Sequence, residues 1–309
     1  MAKHTRTRTF RGASGLCFAF LLLSFPFVCS KLHTKSAWNA IGEGIGMTIR
    51  LSGAVFAYCV AVAALLGAVL GSFLNCAAGR IVEGKSFLAG RSRCDACGHT
   101  LGAVDLVPVL SWLLLRGRCR YCGARVPARC LWTELLSAAM AVACLLRFDL
   151  TVLCLRNWLF LCCLLLLSLV DWDSFEIPDG CHIAAVVIWA AALPFLGQGW
   201  RYAVSRALCG VVYGAALLGV SLILDRVLGR DSLGGGDIKL FAVVGLYLGF
   251  AGTLFTVILA CVLGLLLTAL RRAARGESVP FGPAISLAAG VMLLYGEAFI
   301  HWYLSLLRV

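Results

Sequence analysis

The sequence predicts an all-α polytopic membrane protein, and three observations predict it. Hydrophobic residues fill 61% of the 309 positions, charged residues only 14%, and the mean hydropathy is +0.94. The apolar residues gather into runs long enough to cross a hydrocarbon layer of roughly 30 Å, which takes about 20 helical residues. The charges gather largely between those runs, and one of these stretches, at 76–130, is strongly basic.

Taken in order, the core spans fall at 52–75, 131–147, 150–170, 180–197, 203–225, 237–250, 252–270 and 281–304, about eight transmembrane helices. An earlier run at 14–29 follows "KHTRTRTFR" and has the basic flank and apolar centre of a signal peptide or signal anchor. It is a cleaved leader, an anchor, or the product of a start upstream of Met47, and residues 1–46 are set apart as an N-terminal extension. "GEGIG" at 42–46 follows no strand, so it reads as a linker and not as a nucleotide-binding turn. The division expected is therefore 1–46, a first core span at 52–75, a loop at 76–130, and a seven-span core at 131–305.

Of the net charge of +12, that loop carries +6, nine basic residues against three acidic ones. Arg80, Lys85, Arg91, Arg93, Arg116, Arg118, Arg120, Arg125 and Arg129 stand there against Glu83, Asp95 and Asp105. Basic residues beside a span are retained on the cytoplasmic side, so the loop marks topology before it marks nucleic acid, which is not expected as a partner. Counting spans from this anchor places 171–179, 226–236 and 271–280 on the same cytoplasmic face. The last of these contains "RRAARGESVP", in keeping with that placement.

Most of the 16 cysteines lie singly in apolar spans, where they act as small hydrophobic fillers. Four differ. "RCDACGH" and "RCRYCGA" set Cys94, Cys97, Cys119 and Cys122 in a C-x2-C-x21-C-x2-C pattern, two knuckles that present two thiolates each to a tetrahedral zinc. A reducing cytoplasm keeps such thiols from bridging, and four thiolates leave no position for water, so the metal is structural: a small zinc-stapled loop domain. His99 is a spare donor beside a set that is already complete.

An ionisable residue at a membrane boundary is costly and is a functional candidate by default. Asp171 ends "FLCCLLLLSLV" with no polar spacer, and Asp237 sits between "GGG" and "IKLFAVVGLYLGF". Both belong to the same boundary by the span count. Asp173, Glu176 and Asp179 follow in the turn before and after Pro178 and read as solvated. Asp171 and Asp173, two positions apart, cannot share a helical face, so one of them at most meets Asp237. Two carboxylates in a partly dry cleft hold one proton between them, the equipment for hydrolysing a peptide with activated water. Gly234 and Gly236 are expected to let the backbone leave helical geometry and a substrate strand come close. A transporter using the carboxylates as an ion site is the alternative of another class, but its repeated, interrupted halves are not seen.

With these motifs in order, "GSFLNCAAGR" at 71–80, the paired knuckles, "DLVPVLSWLLLRGRCRYCGA" at 105–124, "TELL" at 133–136, "VDWDSFEIPD" at 170–179, "GGGDIKL" at 234–240 and "PFGPAI" at 280–285, the chain resembles the type IV prepilin peptidases, bacterial GxGD aspartic peptidases. The resemblance covers about 52–305. It implies Asp171 and Asp237 as the catalytic pair, with Gly234, Gly236, Lys239, Asp173 and Asp179 in support. It implies prepilin or pseudopilin substrates, a multi-pass location in the bacterial inner membrane, and cleavage at the cytoplasmic side. It further implies methylation of the new N-terminus from S-adenosylmethionine, for which the sequence shows no binding fingerprint; peptidase activity alone is the narrower version. The middle glycine of "GGGD" and the 1–46 arm depart from the family's usual pattern.

Overall fold

The computed structural model describes residues 53–86, 90–229, 233–275 and 279–307. The extension at 1–46, with its apolar run and "GEGIG", lies outside the described residues. Among the described residues eight α-helices follow one another: α1 Gly53–Val82, the short α2 Leu110–Leu114, α3 Ala128–Phe148, α4 Val152–Ser174, α5 Asp179–Ala192, α6 Trp200–Leu228, α7 Gly235–Arg275 and α8 Gly282–Leu307. Among the described residues the only extended pairing is two isolated bridges, Arg93 with Thr100 and Arg118 with Arg125. Six of these helices in the described residues, α1, α3, α4, α6, α7 and α8, are long and apolar enough to cross a membrane; α5 with its 3₁₀ extension, Asp179–Phe195, is apolar but shorter.

The 41 residues of α7 would make a rod of about 62 Å if straight, twice the thickness of the hydrocarbon layer. They do not form one. Gly249 breaks the helix at φ 68° and ψ −170°, and the segments before and after α7 line one cleft, so the chain turns back at this glycine. The two spans expected at 237–250 and 252–270 are thus the two arms of α7. Arg206 occupies the space where a Cβ of residue 249 would lie, so both conformation and room demand glycine. Tyr213 clamps the reversal by donating its hydroxyl to Phe250 O at 2.8 Å, and Thr253 Oγ1 donates to Gly249 O at 2.7 Å.

The described chain forms two compact units. One takes 53–73 and 90–139, the other 74–86 and 140–307. In the first, α1 and α3 approach at Gly71, whose added Cβ would lie 2.7 Å from Thr133 O and 2.8 Å from Ser137 Cβ. In the second, α7 packs on α5, α6 and α8, and α4 packs on α5 and α8. A Cβ on Gly245 of α7 would stand 2.8 Å from Gly210 Cα of α6, so these helices touch backbone to backbone, the small-residue packing that membranes favour. At the centre of the second unit Tyr247 stacks on Phe160 at 3.7 Å between ring centres and donates its hydroxyl to Ala185 O at 2.7 Å. Those bonds join α4, α5 and α7.

Candidate active site and metal centre

The carboxylate site is built at one end of the second unit. Helix α4 stops there because Phe175 adopts a left-handed cap, φ 59°, with its N–H bonded to Asp171 O at 2.9 Å, and Pro178 then opens α5. On α7, the N–H groups of Asp237 and Ile238 both donate to Gly234 O, at 3.0 and 3.3 Å, so Asp237 lies in the first turn of the helix. These two ends and 279–281 enclose a cleft of about 650 Å³ lined by Asp171, Asp237, Glu176, Asp179, Lys239 and the three glycines, with Phe175, Ile177 and Phe281 as its apolar side. Its size falls in the range of ligand-binding clefts, about 300–1,000 Å³.

Asp171 and Asp237 therefore face a common cavity although 66 positions separate them. Asp171 belongs to the buried set, 4% exposed, and Asp237 is half-buried. Asp173 is exposed and is not among the lining residues. Asp179 and Lys239 pair at 2.7 Å across the rim, joining the first turns of α5 and α7. Both are largely exposed, so this pair is worth about 0–1 kcal/mol and serves to orient more than to stabilise.

Sequence reasoning passed over Gly282. Its N–H donates to Asp171 Oδ2 at 2.9 Å, and a Cβ on it would strike that same carboxylate oxygen. The residue had been part of "PFGPAI", a motif without a chemical role, and nothing local to it signals a partner 111 positions upstream. The expectation for the glycine triplet also needs correction. Gly235 and Gly236 are helical, Gly234 lies just before the helix, and none of the three has positive φ, so leaving helical geometry does not explain the glycines at 235 and 236. Gly236 is needed because a Cβ would come within 2.9 Å of Ile177 Cβ, in the connection between α4 and α5. A Cβ on Gly235 meets nothing within 4 Å.

A graded series follows. Gly282→Ala and Gly236→Ala are each expected to lower catalytic turnover at least about tenfold, the cost of a displacement near 1 Å at reacting groups, and Gly235→Ala to stay near wild type. Hydrolysis assays on the three purified variants check this.

The four paired cysteines converge in the first unit. Their Sγ atoms all lie within 4.8 Å of one another, and Cys94 Sγ is 3.8 Å from Cys122 Sγ. Zinc with four sulfurs at about 2.3 Å in a tetrahedron sets each S–S separation near about 3.8 Å, so the donor set fits. The knuckles are near copies. Cys94 N bonds to His99 O at 2.9 Å and Gly98 N to Cys94 O at 2.8 Å; Cys119 N bonds to Ala124 O at 2.8 Å and Gly123 N to Cys119 O at 3.0 Å. Gly98 and Gly123 hold φ of 70° and 71°, which explains the glycine after each pair.

The N–H groups of Cys97 and Ala96 hold the Cys94 thiol down at about 7. Cys122 is drawn down by the Ala124 N–H but pushed up to about 12 by loss of solvent and by the neighbouring Cys97, Cys119 and Cys94. Four thiolates this close need a cation to coexist. His99 is not in the cluster; its ring lies against Tyr121, tilted by 34° with ring centres 3.7 Å apart. Asp105 fastens the second knuckle, accepting from Gly102 N and Tyr121 Oη at 3.1 Å each and pairing with Arg120 at 2.9 Å; the Gly102 bond, the Tyr121 bond and the Arg120 charge hold its carboxyl below the usual range.

Comparison with known proteins agrees in both halves. The family model described as the bacterial peptidase A24 N-terminal domain matches residues 65–148, and that of the type IV leader peptidase family matches 158–269. Proteins named prepilin leader peptidase/N-methyltransferase are similar over most of the chain. The one from Bacillus subtilis (strain 168) is 30% identical over 247 residues, 78% of this chain and 96% of its own length. Those from Pseudomonas putida and Aeromonas salmonicida (strain A449) are each 31% identical, over 78% and 72% of this chain and 92% and 77% of their own lengths. No solved structure matches the chain.

Proposed function

We propose that this chain, which belongs to the type IV leader peptidase family, cleaves the leader from prepilins or pseudopilins with Asp171 and Asp237 as its catalytic pair. The observation that carries the residue assignment is that both carboxylates line one cleft. A water between them loses a proton to the ionised carboxylate as its oxygen attacks the scissile carbonyl, while the protonated partner donates to the carbonyl oxygen. The tetrahedral adduct then breaks its C–N bond: the proton taken from water passes to the leaving amine, and the proton lent to the carbonyl oxygen returns to the partner carboxylate as the C=O re-forms. Because Gly282 N–H already bonds Asp171 Oδ2, the proton held by the pair is left to Asp171 Oδ1 or to Asp237. Lys239 and Asp179 fix the rim, and Asp173 is left a supporting role outside the cleft.

Methylation of the new N-terminus belongs to the same reading through the relatives' names. The two carboxylates account for hydrolysis and not for methyl transfer, and no described residue is tied by its geometry to S-adenosylmethionine. Cys94, Cys97, Cys119 and Cys122 would hold a zinc ion, which would supply charge and cross-linking and leave no open position for chemistry. The functional division is a zinc-stapled loop at 76–130 and a peptidase core at 131–305.

The test is incubation of the purified protein, in lipid, with a prepilin, followed by mass spectrometry of the mature N-terminus. Cleavage at one bond with a gain of one methyl group is expected; an intact leader refutes the reading, and a cleaved but unmethylated product limits it to peptidase activity.

The membrane is the bacterial inner membrane, with the cleft at its cytoplasmic face. The support is the basic loop at 76–130 and the gathering of 175–179, 234–236 and 279–281 at one cleft, as the span count requires. A cysteine placed at exposed position 173, in an active variant with few other cysteines, is expected to react with a membrane-impermeant maleimide from the cytoplasmic side only. Labelling from the outer side alone would invert the topology.

A further inference from the structure

Between the two knuckles lies an apolar strip that neither the metal cluster nor the cleft uses. Val104, Leu106, Leu110, Leu113 and Leu114 are all exposed, Leu114 to 81%. Trp112 is the exception, lying against Gly117, where a Cβ would come within 2.8 Å of its ring. A water-facing loop gains nothing from such a strip, and exposed apolar patches mark contact surfaces.

Its placement is fixed by one buried carboxylate. Glu134, 7% exposed and in the second turn of α3, accepts a hydrogen bond from Val109 N at 2.6 Å. Val109 itself has φ 63° and ψ −52°, a rare conformation for a β-branched residue that persists where its surroundings over-determine it. The same turn of α3 is where α1 packs, with an added Cβ on Gly71 lying 2.9 Å from Glu134 Cα. Both α1 and α3 have the length and composition to cross a membrane. The strip is thus tied to a turn at which two membrane-crossing helices already touch. Beside it stand the exposed Arg116, Arg118 and Arg125, the last two facing each other across an antiparallel bridge.

We propose that residues 103–114 form an interfacial anchor that seats the metal loop on an anionic lipid surface. Leu110, Leu113 and Leu114 enter the boundary of the acyl chains, while Arg116, Arg118 and Arg125 meet lipid phosphates. Charge complementarity selects lipid over a second copy of the chain, whose same patch would bring the same arginines against each other. The anchor rests on the membrane reading of α1 and α3 and not on the peptidase assignment.

The experiment uses the full chain with a fluorescent amino acid at position 114, reconstituted in bilayers of phosphatidylcholine with phosphatidylglycerol. Quenching by lipids brominated near the glycerol end of the acyl chain, with little quenching by aqueous iodide, is the expected result. Replacing the arginines together (Arg116→Gln, Arg118→Gln, Arg125→Gln), or omitting phosphatidylglycerol, should lower the lipid quenching by roughly half or more. Quenching by iodide alone places the strip in water and overturns the proposal. Quenching by neither shows a protein covering it and does the same, as does lipid quenching indifferent to both charge changes. Should the probe at 114 prevent folding, position 110 on the same strip serves in its place. Prepilin cleavage is scored separately on the same samples, so loss of the peptidase reading leaves this result standing.

Discussion

Asp237→Asn and Asp171→Asn are each expected to reduce prepilin cleavage by at least about 10³-fold while membrane insertion and metal content stay unchanged. Loss of a general acid or base costs about 10²–10⁴ in rate, and a dyad that shares one proton has no spare group to take over. Asparagine keeps the shape and the acceptor oxygen, so the bond from Gly282 N to position 171 survives and the fold is not the target. Asp173→Asn, outside the cleft, should stay within a few fold of wild type. Quantifying mature and unprocessed prepilin over a time course checks all three; near wild-type processing by either dyad variant would remove that residue from the reaction.

The second large effect concerns the loop. Cys119→Ser is expected to abolish stoichiometric zinc and to make residues 90–127 protease-sensitive, with chemistry lost later if at all. A structural tetrathiolate site contributes about 10–16 kcal/mol to the folding of the segment that carries it. The regular structure of residues 90–127 is limited to the five-residue α2, a four-residue 3₁₀ turn, Ala103–Leu106, and two isolated bridges, with no long helix to hold the segment. Elemental analysis and limited proteolysis of the same preparation separate the outcomes. Full zinc occupancy in the variant, or none in freshly prepared wild-type protein, would contradict the assignment.

What the sequence made legible were the features written in local spacing. The knuckles show as C-x2-C followed by glycine because both the ligand geometry and the left-handed turn are decided within five residues. The spans show as apolar runs, and even the reversal inside α7 is marked by the gap at 251, two residues beyond Gly249. Asp171 stood out because it ends an apolar run with no polar spacer, and Asp237 because it opens one that only Lys239 interrupts.

Contacts between distant residues were not legible. Gly282 looks like any glycine in a proline-rich turn until Asp171 is seen against it. Gly236 invited an argument from flexibility, whereas the constraint is the steric demand of Ile177, a residue whose own sequence context says nothing about α7. Glu134 sits in a polar break of an otherwise apolar helix, and its partner, the Val109 N–H, is a backbone group that no side-chain pattern encodes.

The central claim is that two aspartates from different helices act as one unit, and a double-mutant cycle tests it most directly. Cleavage rates are measured for wild type, Asp171→Asn, Asp237→Asn and the double variant, over incubations long enough to quantify residual product by mass spectrometry. Groups that act as a unit are strongly non-additive, so the double variant should cleave no more slowly than either single one. A double variant slower by the product of the two single effects would mean two independent contributions, and would contradict a shared catalytic pair.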